Sequence, residues 1–242
     1  MQNINVLWEG ELSLEFIKWN EKKLYEFQLA SEYDAKIKSC WDNHIKEKPN
    51  DYDGKLLFLD SFHFKDKNLY LNTSYIRFST ITFMEKNKMR VQKGIGVLGT
   101  QYIIFSPDKK YFLVGERALN VSYFPGATTI PGGILEIEDL NRSPKEALSR
   151  ELLEEVSLPF QKSMSLNAIL EGWNGISVTF LIGIKTHNSY NFNPYQSIPA
   201  DEDEWNDDLI WMPISELKKK TKTKFLDGLI YYQSKVIENS MK

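Results

Sequence analysis

Apolar and polar positions alternate in short stretches through most of the chain, interrupted by three longer stretches of helical period. Between residues 4 and 29, alternations such as Leu12-Ser13-Leu14-Glu15-Phe16 and Leu24-Tyr25-Glu26-Phe27 predict strands, with Asn20-Glu21-Lys22-Lys23 as a break between them. Ser31 then opens a helical register that carries Tyr33, Ile37, Cys40, Trp41, His44 and Ile45, with Ser31 as its N-cap and Pro49 beyond its end. Trp41 and His44 read as core and surface groups. Asn50 to Gly54 is a turn, after which Leu56–Phe64 and Leu69–Thr82 predict two strands around Lys65-Asp66-Lys67-Asn68.

The second part opens with Gly94–Phe105 and Tyr111–Glu116, a predicted hairpin around Ser106 to Lys110. The pattern then gives a helix over 144–156, strands at Ala168–Gly172 and Val178–Lys185, and a polar loop from Thr186 to Ala200. Leu209 to Leu217 reads as a strand running into a helix at Pro213 or Ser215, and Phe225, Leu226, Leu229, Ile230, Val236 and Ile237 form a closing amphipathic helix. No Pro/Ser-rich linker separates the parts, so residues 1–90 and 91–242 are expected as two closely packed domains, with a soft boundary near Asn87 to Gln92.

Composition removes several function classes. At 242 residues, with 42% hydrophobic and 26% charged side chains, the chain can bury a sizeable core and is not of the disordered kind. The 30 basic and 33 acidic side chains leave a net charge of −3, so no basic field argues for nucleic acid or an anionic membrane. Residues 1–16 show no leader pattern and no 18-residue apolar run occurs, which makes cytoplasm the expected location. The single Cys40 excludes an intrachain disulfide and a Cys-based zinc site, and His44, His63 and His187 are too scattered for a His-rich one.

Chemistry concentrates at 131–158. On a helix over 144–156, Glu151, Glu154 and Glu155 project within a ~100° arc, with Leu148, Leu152, Leu153 and Val156 on the neighbouring arc. Like charges at this spacing cost ~0.2–0.5 kcal/mol per pair, a cost that a divalent cation with hard oxygen ligands removes. Glu146 and Arg150 stand in the favourable order for a helical ion pair. Ahead of the helix, glycines in Pro131-Gly132-Gly133 would let backbone amides approach an anion or metal-bound water. An isolated Glu-x-x-Glu-Glu segment is usually a solvated acidic face; its surroundings change that reading.

The run from Pro144 through Arg150-Glu151-Leu152-Leu153-Glu154-Glu155 resembles the Nudix box: Gly, five residues, Glu, seven residues, Arg-Glu, an aliphatic, any residue, Glu-Glu, any residue, Gly, an aliphatic. The resemblance implies an α/β/α sandwich with a mixed sheet, preceded here by a small α+β domain. It also implies that Glu151, Glu154 and Glu155 ligate Mg²⁺ or Mn²⁺ or organise metal-bound water, and that Arg150 orients the acidic groups. Two departures stand out. Gly133 to Arg150 spans seventeen positions against the family's fourteen, so the first Glu of the pattern falls on Arg142, leaving Glu136, Glu138 or Asp139 as substitutes. The final Gly is Ser157. Glu202 or Glu204, in the acidic loop before the last strand, resembles the additional catalytic Glu of many relatives, and Glu204 is taken as that base.

Trp41, Lys48-Pro49-Asn50-Asp51-Tyr52-Asp53-Gly54, Leu71-Asn72-Thr73-Ser74-Tyr75 and Gly94-Ile95-Gly96-Val97 are in turn similar to the N-terminal region of the Nudix enzymes that cleave UDP-glucose and UDP-galactose. The expected reaction is metal-dependent hydrolysis of a nucleoside diphosphate sugar to UMP and sugar 1-phosphate. Arg117, Arg142 or Lys145 would meet phosphate oxygens, Gly132 and Gly133 would lie beside them, and Tyr123 and Phe124 would stack on base or sugar or else pack in the core. ADP-ribose or an ADP-sugar is the alternative substrate, and a non-catalytic nucleotide-sugar-binding regulator is the alternative class. A small-molecule partner is expected, without nucleic acid or membrane, in an oligomeric state left open.

Overall fold

The structure, a computed structural model, describes residues 5–91, 94–121, 124–156, 158, 160–172, 175–199, 205–217 and 227–240. The strands are β1 (Asn5–Ser13), β2 (Ile17–Glu26), β3 (Lys55–Lys65), β4 (Asn68–Arg77), β5 (Gly96–Phe105), β6 (Tyr111–Glu116), β7 (Thr128–Thr129), β8 (Phe160–Gly172), β9 (Ser177–Thr186) and β10 (Ile210–Pro213). The helices are α1 (Asp34–Glu47), α2 (Phe78–Lys86), α3 (Pro144–Glu155), α4 (Ile214–Leu217) and α5 (Asp227–Ser240). The strands join in the order β1-β8-β9-β5-β3-β4-β2, and β6 branches from β5 to carry β7 and β10. Pairing is parallel between β5 and β9 and between β2 and β4, and antiparallel elsewhere, so the sheet is mixed.

The central strands are apolar on both faces because both are covered, the pattern expected of a sheet between helices. Leu98, Tyr102 and Ile104 of β5 join Phe180 and Ile182 of β9 against Leu148, Leu152 and Val156. On the opposite face, Ile103, Leu181 and Leu170 pack with Leu229 and Tyr231 of α5. This is an α/β/α sandwich around a mixed sheet. Strands from either side of residue 90 share it: Phe58 of β3 pairs with Val97 of β5, and β1 pairs with β8 from Asn5↔Glu171 to Ser13↔Ser165. Leu14, Ile17, Leu57 and Leu71 belong to the same core as Leu98 and Leu148. No helix of the described residues is long and apolar enough to cross a membrane.

Several elements differ from the sequence reading. The polar stretch 20–23 is no break but lies inside β2. The second predicted strand stops at Arg77, where α2 begins. Ser31 starts a 3₁₀ turn and α1 follows from Asp34, with Tyr33 as a cap that makes no side-chain bond. His44 is buried and bonded to Asp51 at 2.6 Å, while Trp41 is only half-buried. Among the described residues β5 and β6 pair at Phe105↔Phe112 alone, because the edge of β5 turned away from β9 is taken by the Pro131–Leu135 segment and β3 over most of its length.

Candidate active site

Local rules set the start of α3. Pro144 occupies the first turn, where a missing N–H costs nothing, and Ser143 forms a reciprocal cap with Glu146. The Ser143 N–H donates to the Glu146 carboxylate at 2.9 Å, and the Ser143 hydroxyl accepts from the Glu146 N–H at 3.3 Å. The Ser143 N–H, and after it the Ser143 hydroxyl donating to the same carboxylate at 2.8 Å, pull the Glu146 carboxyl below its usual range. Glu146 is therefore the cap partner of Ser143, and the expected Glu146–Arg150 pair does not form.

Arg150 turns instead to Asp139. Its Nε donates to Asp139 Oδ1 at 3.0 Å and its Nη2 to Oδ2 at 3.1 Å, a two-point grip that fixes the guanidinium plane. Its Nη1 then donates to Glu154 Oε2 at 2.8 Å. The Asp139 side chain is only 1% exposed, and it also accepts from the Glu136 N–H at 3.0 Å and from Arg142 Nη1 at 2.9 Å. The three extra residues of the loop bear on this register: Ile137–Asn141 form a 3₁₀ turn that carries Asp139 back to Arg150. Of the three carboxylates the sequence offered, Asp139 is the one that meets the arginine.

The buried stripe of α3 is Leu148, Leu152 and Val156, anchored where the Tyr102 hydroxyl of β5 donates to the Leu148 carbonyl at 2.6 Å. Leu153, expected on that stripe, is 65% exposed, because at ~100° per residue it points away from Leu148. It lines an open depression of about 560 Å³ with Asn141, Arg142, Glu146, Arg150 and Glu154. The Glu154 side chain is 56% exposed there. Positions 151 and 155 lie on the helix backbone within ~100° of 154, but their side chains lie outside the described residues. Among the described residues no group of three metal-ligating side chains converges. Ser157, Tyr123, Glu202 and Glu204 also lie outside them. The helix ends at Val156 in extended geometry, φ −133°.

Pro131 to Glu136 threads between β5 and β3. Tyr102 N donates to the Pro131 carbonyl at 2.8 Å, Thr100 N to Gly133 at 2.8 Å, and Leu57 N to Leu135 at 2.8 Å. A Cβ at Gly132 would collide with the Thr100 carbonyl. Backbone packing on β5 thus accounts for a glycine at 132, where the sequence reading had assigned ligand access.

Beside this segment the backbones of Arg117 and Gly126-Ala127 are joined by Arg117 N to the Ala127 carbonyl at 2.9 Å and Gly126 N to the Arg117 carbonyl at 3.0 Å. Arg117 is half-buried and pairs through its backbone with Trp205, while Phe124 is 41% exposed in a left-handed conformation, φ 54°. For a bulky side chain that geometry costs ~1–2 kcal/mol, and such strain concentrates at ligand sites.

Residues before 90 reach every part of this region. Trp19 Nε1 donates to the Arg142 carbonyl at 3.0 Å, and Lys145 is paired with Glu15 at 2.9 Å, holding the Glu15 carboxyl below its usual range. Lys48 Nζ donates to the carbonyls of Asn120 at 2.6 Å and Val121 at 3.3 Å. The Tyr52 hydroxyl donates to Glu136; that bond, then burial and the charges of Glu136 and Glu138, push its pKa up to about 12 against the opposing charge of Arg150. Lys48 and Tyr52 were not read from the sequence as site residues. The one signal was the resemblance of Lys48 to Gly54, which named the stretch without assigning its side chains.

No family model matches the chain, and no curated protein matches it. Similar solved structures include a MutT protein from Methanosarcina mazei Go1, at 16% identity over 60% of this chain and 96% of that one with a TM-score of 0.40. A NUDIX hydrolase from Nitrosomonas europaea matches at 20% identity over 60% and 90%, TM-score 0.41. The NUDIX domain of Shewanella oneidensis NrtR, complexed with ADP ribose, matches at 17% identity over 61% and 89%, TM-score 0.38.

Proposed function

We propose that the chain is a divalent-metal-dependent Nudix pyrophosphatase that hydrolyses a nucleoside diphosphate sugar, UDP-glucose or UDP-galactose, to UMP and sugar 1-phosphate. The observation that carries this reading is the Arg150 network. A solvated acidic helix face needs no buried carboxylate to fix its arginine, whereas here Asp139 holds two guanidinium nitrogens and the third is directed at Glu154. This arrangement supports the orienting role the box implies for Arg150.

The donor set suits a hard divalent cation. Positions 151, 154 and 155 are helical neighbours at spacings of three and four, ~5–6 Å between Cβ atoms, and Mg²⁺ or Mn²⁺ takes carboxylate oxygens. When bound, such a cation supplies charge neutralisation of the diphosphate and a more acidic water. In this reading Arg150 orients Glu154, Glu204 accepts the proton of the attacking water, and Arg117 faces the phosphate that leaves. Phe124 and Tyr123 take the base or sugar, the Gly132-Gly133 segment borders the phosphates, and residues 1–90 form a wall of the pocket, a role supported by the reach of Lys48 and Tyr52. Arg142 and Lys145 are engaged with Asp139 and Glu15 and are left out.

A panel of nucleoside diphosphate sugars with Mg²⁺ and product identification tests the reading. The expected kcat/KM for UDP-glucose or UDP-galactose is at least ~10-fold above that for ADP-ribose, because a site that hydrogen-bonds one base edge leaves buried polar groups unpaired with another. A chain beginning at Gln92 is expected not to fold, since it lacks the strands that flank β5 and β8. Preferred cleavage of ADP-ribose overturns the uridine assignment, and tight binding without cleavage to a nucleoside monophosphate and a sugar phosphate makes the chain a regulator.

A further inference from the structure

Tyr52 is fixed at several points yet remains 65% exposed. Its hydroxyl is bonded to Glu136, on the segment leading into the 3₁₀ turn before α3. Its ring lies over Gly54, where a Cβ would come within 2.8 Å of Cε2 and 3.3 Å of Cζ, so only a glycine lets the ring rest on the backbone. The neighbours are pinned as well: Asp51 to His44 of α1 at 2.6 Å, and Asp53 to the Ser79 N–H of α2 at 2.8 Å. Four residues before Tyr52, Lys48 holds the carbonyls of the loop that bears Phe124.

An exposed tyrosine normally keeps its rotamer freedom, and restricting it costs entropy that buried apolar contact would ordinarily offset. Here the ring is held by its hydroxyl and rests on Gly54 without being buried, which leaves part of its π-surface exposed beside the segment leading to the turn that grips Arg150. We propose that Tyr52 is the platform on which the planar base of the nucleotide stacks, making it a specificity-determining residue of the site. The proposal rests on the pyrophosphatase reading, and it gives the phenol a second duty, since its bond to Glu136 fixes the ring relative to the turn that holds Arg150. Stacking is tolerant of base identity because every base has a π-face, so Tyr52 supplies affinity for nucleotides over sugar phosphates. Discrimination between bases falls to edge contacts.

Calorimetric titration with UMP, AMP and glucose 1-phosphate separates the arms without any turnover. In Tyr52→Ala, UMP and AMP affinity is expected to fall about tenfold or more, the scale of one lost aromatic–base stack, with glucose 1-phosphate changed less than about twofold. Tyr52→Phe retains the π-face and is expected to stay within about threefold for nucleotides; Tyr52→Leu, which preserves apolar volume without planarity, is expected to follow the Ala variant. Unchanged UMP and AMP affinity in both Ala and Leu variants, each melting as a folded protein, overturns the platform. Loss confined to glucose 1-phosphate overturns it also, by placing the hexose on the ring. If the wild type binds glucose 1-phosphate but neither nucleoside monophosphate, the nucleotide-sugar reading falls and the platform falls with it.

Discussion

Glu154→Gln is expected to lower kcat at least ~100-fold while moving the melting temperature by no more than ~3 °C. The two halves of that expectation have different physical origins. Glu154 is more than half exposed, and its one described partner is Arg150 at 2.8 Å, so the lost ion pair is a surface interaction of ~0–1 kcal/mol. In a chain of this size each kcal/mol shifts melting by ~2–4 °C. Catalytically, the amide keeps the shape but loses the charge that would meet a cation, and removing one such group typically costs ~10²-fold, or ~2.7 kcal/mol of barrier. No stabilising relief of like-charge repulsion is expected from the substitution, because Arg150 already neutralises Glu154. Steady-state kinetics beside a thermal melt decides it: a kcat within threefold of wild type would remove Glu154 from the chemistry.

Asp139→Asn should do the reverse and damage the fold most. The Asp139 carboxylate accepts from two nitrogens of Arg150, one of Arg142 and the Glu136 N–H, with its side chain 1% exposed. An Asn at this place loses the charge and turns an NH₂ group toward donors, leaving Arg150, itself mostly buried, without its counter-charge. Breaking a buried pair from one side costs ~3–5 kcal/mol, and the residual exposure of the arginines favours the lower end. A fall in melting temperature of ~10 °C follows, with activity reduced because Arg150 no longer holds Glu154 in place. Arg142→Ala, by contrast, removes a partner that is nearly half exposed and is expected to cost ~1 kcal/mol or less. If the Asn variant melts within 2 °C of wild type, Asp139 is not what holds the arginine.

Local patterns made α3 and the alternation of the central strands legible, since the helical register over 144–156 and its Leu148/Leu152/Val156 stripe act within a few residues of one another. What failed was decided at longer range. Phe78 to Thr82 reads as the end of a strand because it is rich in Thr, Ile and Phe, yet it opens a helix buried on nearly every side, which erases the polar face that would reveal its period. Asn20 to Lys23 reads as a turn by its charge, but β2 closes one edge of the sheet, where charged residues are tolerated and discourage further pairing. For the site, spacing assigned Arg150 to Glu146, whereas its partner is eleven residues back across a 3₁₀ turn. The Tyr52–Glu136 bond joins residues 84 apart, a link no local period contains.

The pairing of β1 with β8 has a consequence for how the chain is made. Asn5 finds its ladder partner at Glu171 and Ser13 at Ser165, so β1 leaves the ribosome without this partner until roughly 160 further residues have followed. At ~5–20 residues per second that is a wait of ~10–30 s, and long-range pairing is slow in any case. By contrast β2, β3 and β4 find one another within residues 17–77. Synthesis therefore orders assembly: a nascent intermediate holds the middle strands while residues 5–13 stay unpaired, and release of β8 seats the N-terminal strand last. Limited proteolysis of ribosome-stalled chains should find residues 5–13 cleavable in chains ending before 160 and protected once 172 has emerged; protection in the shorter chains would refute this order.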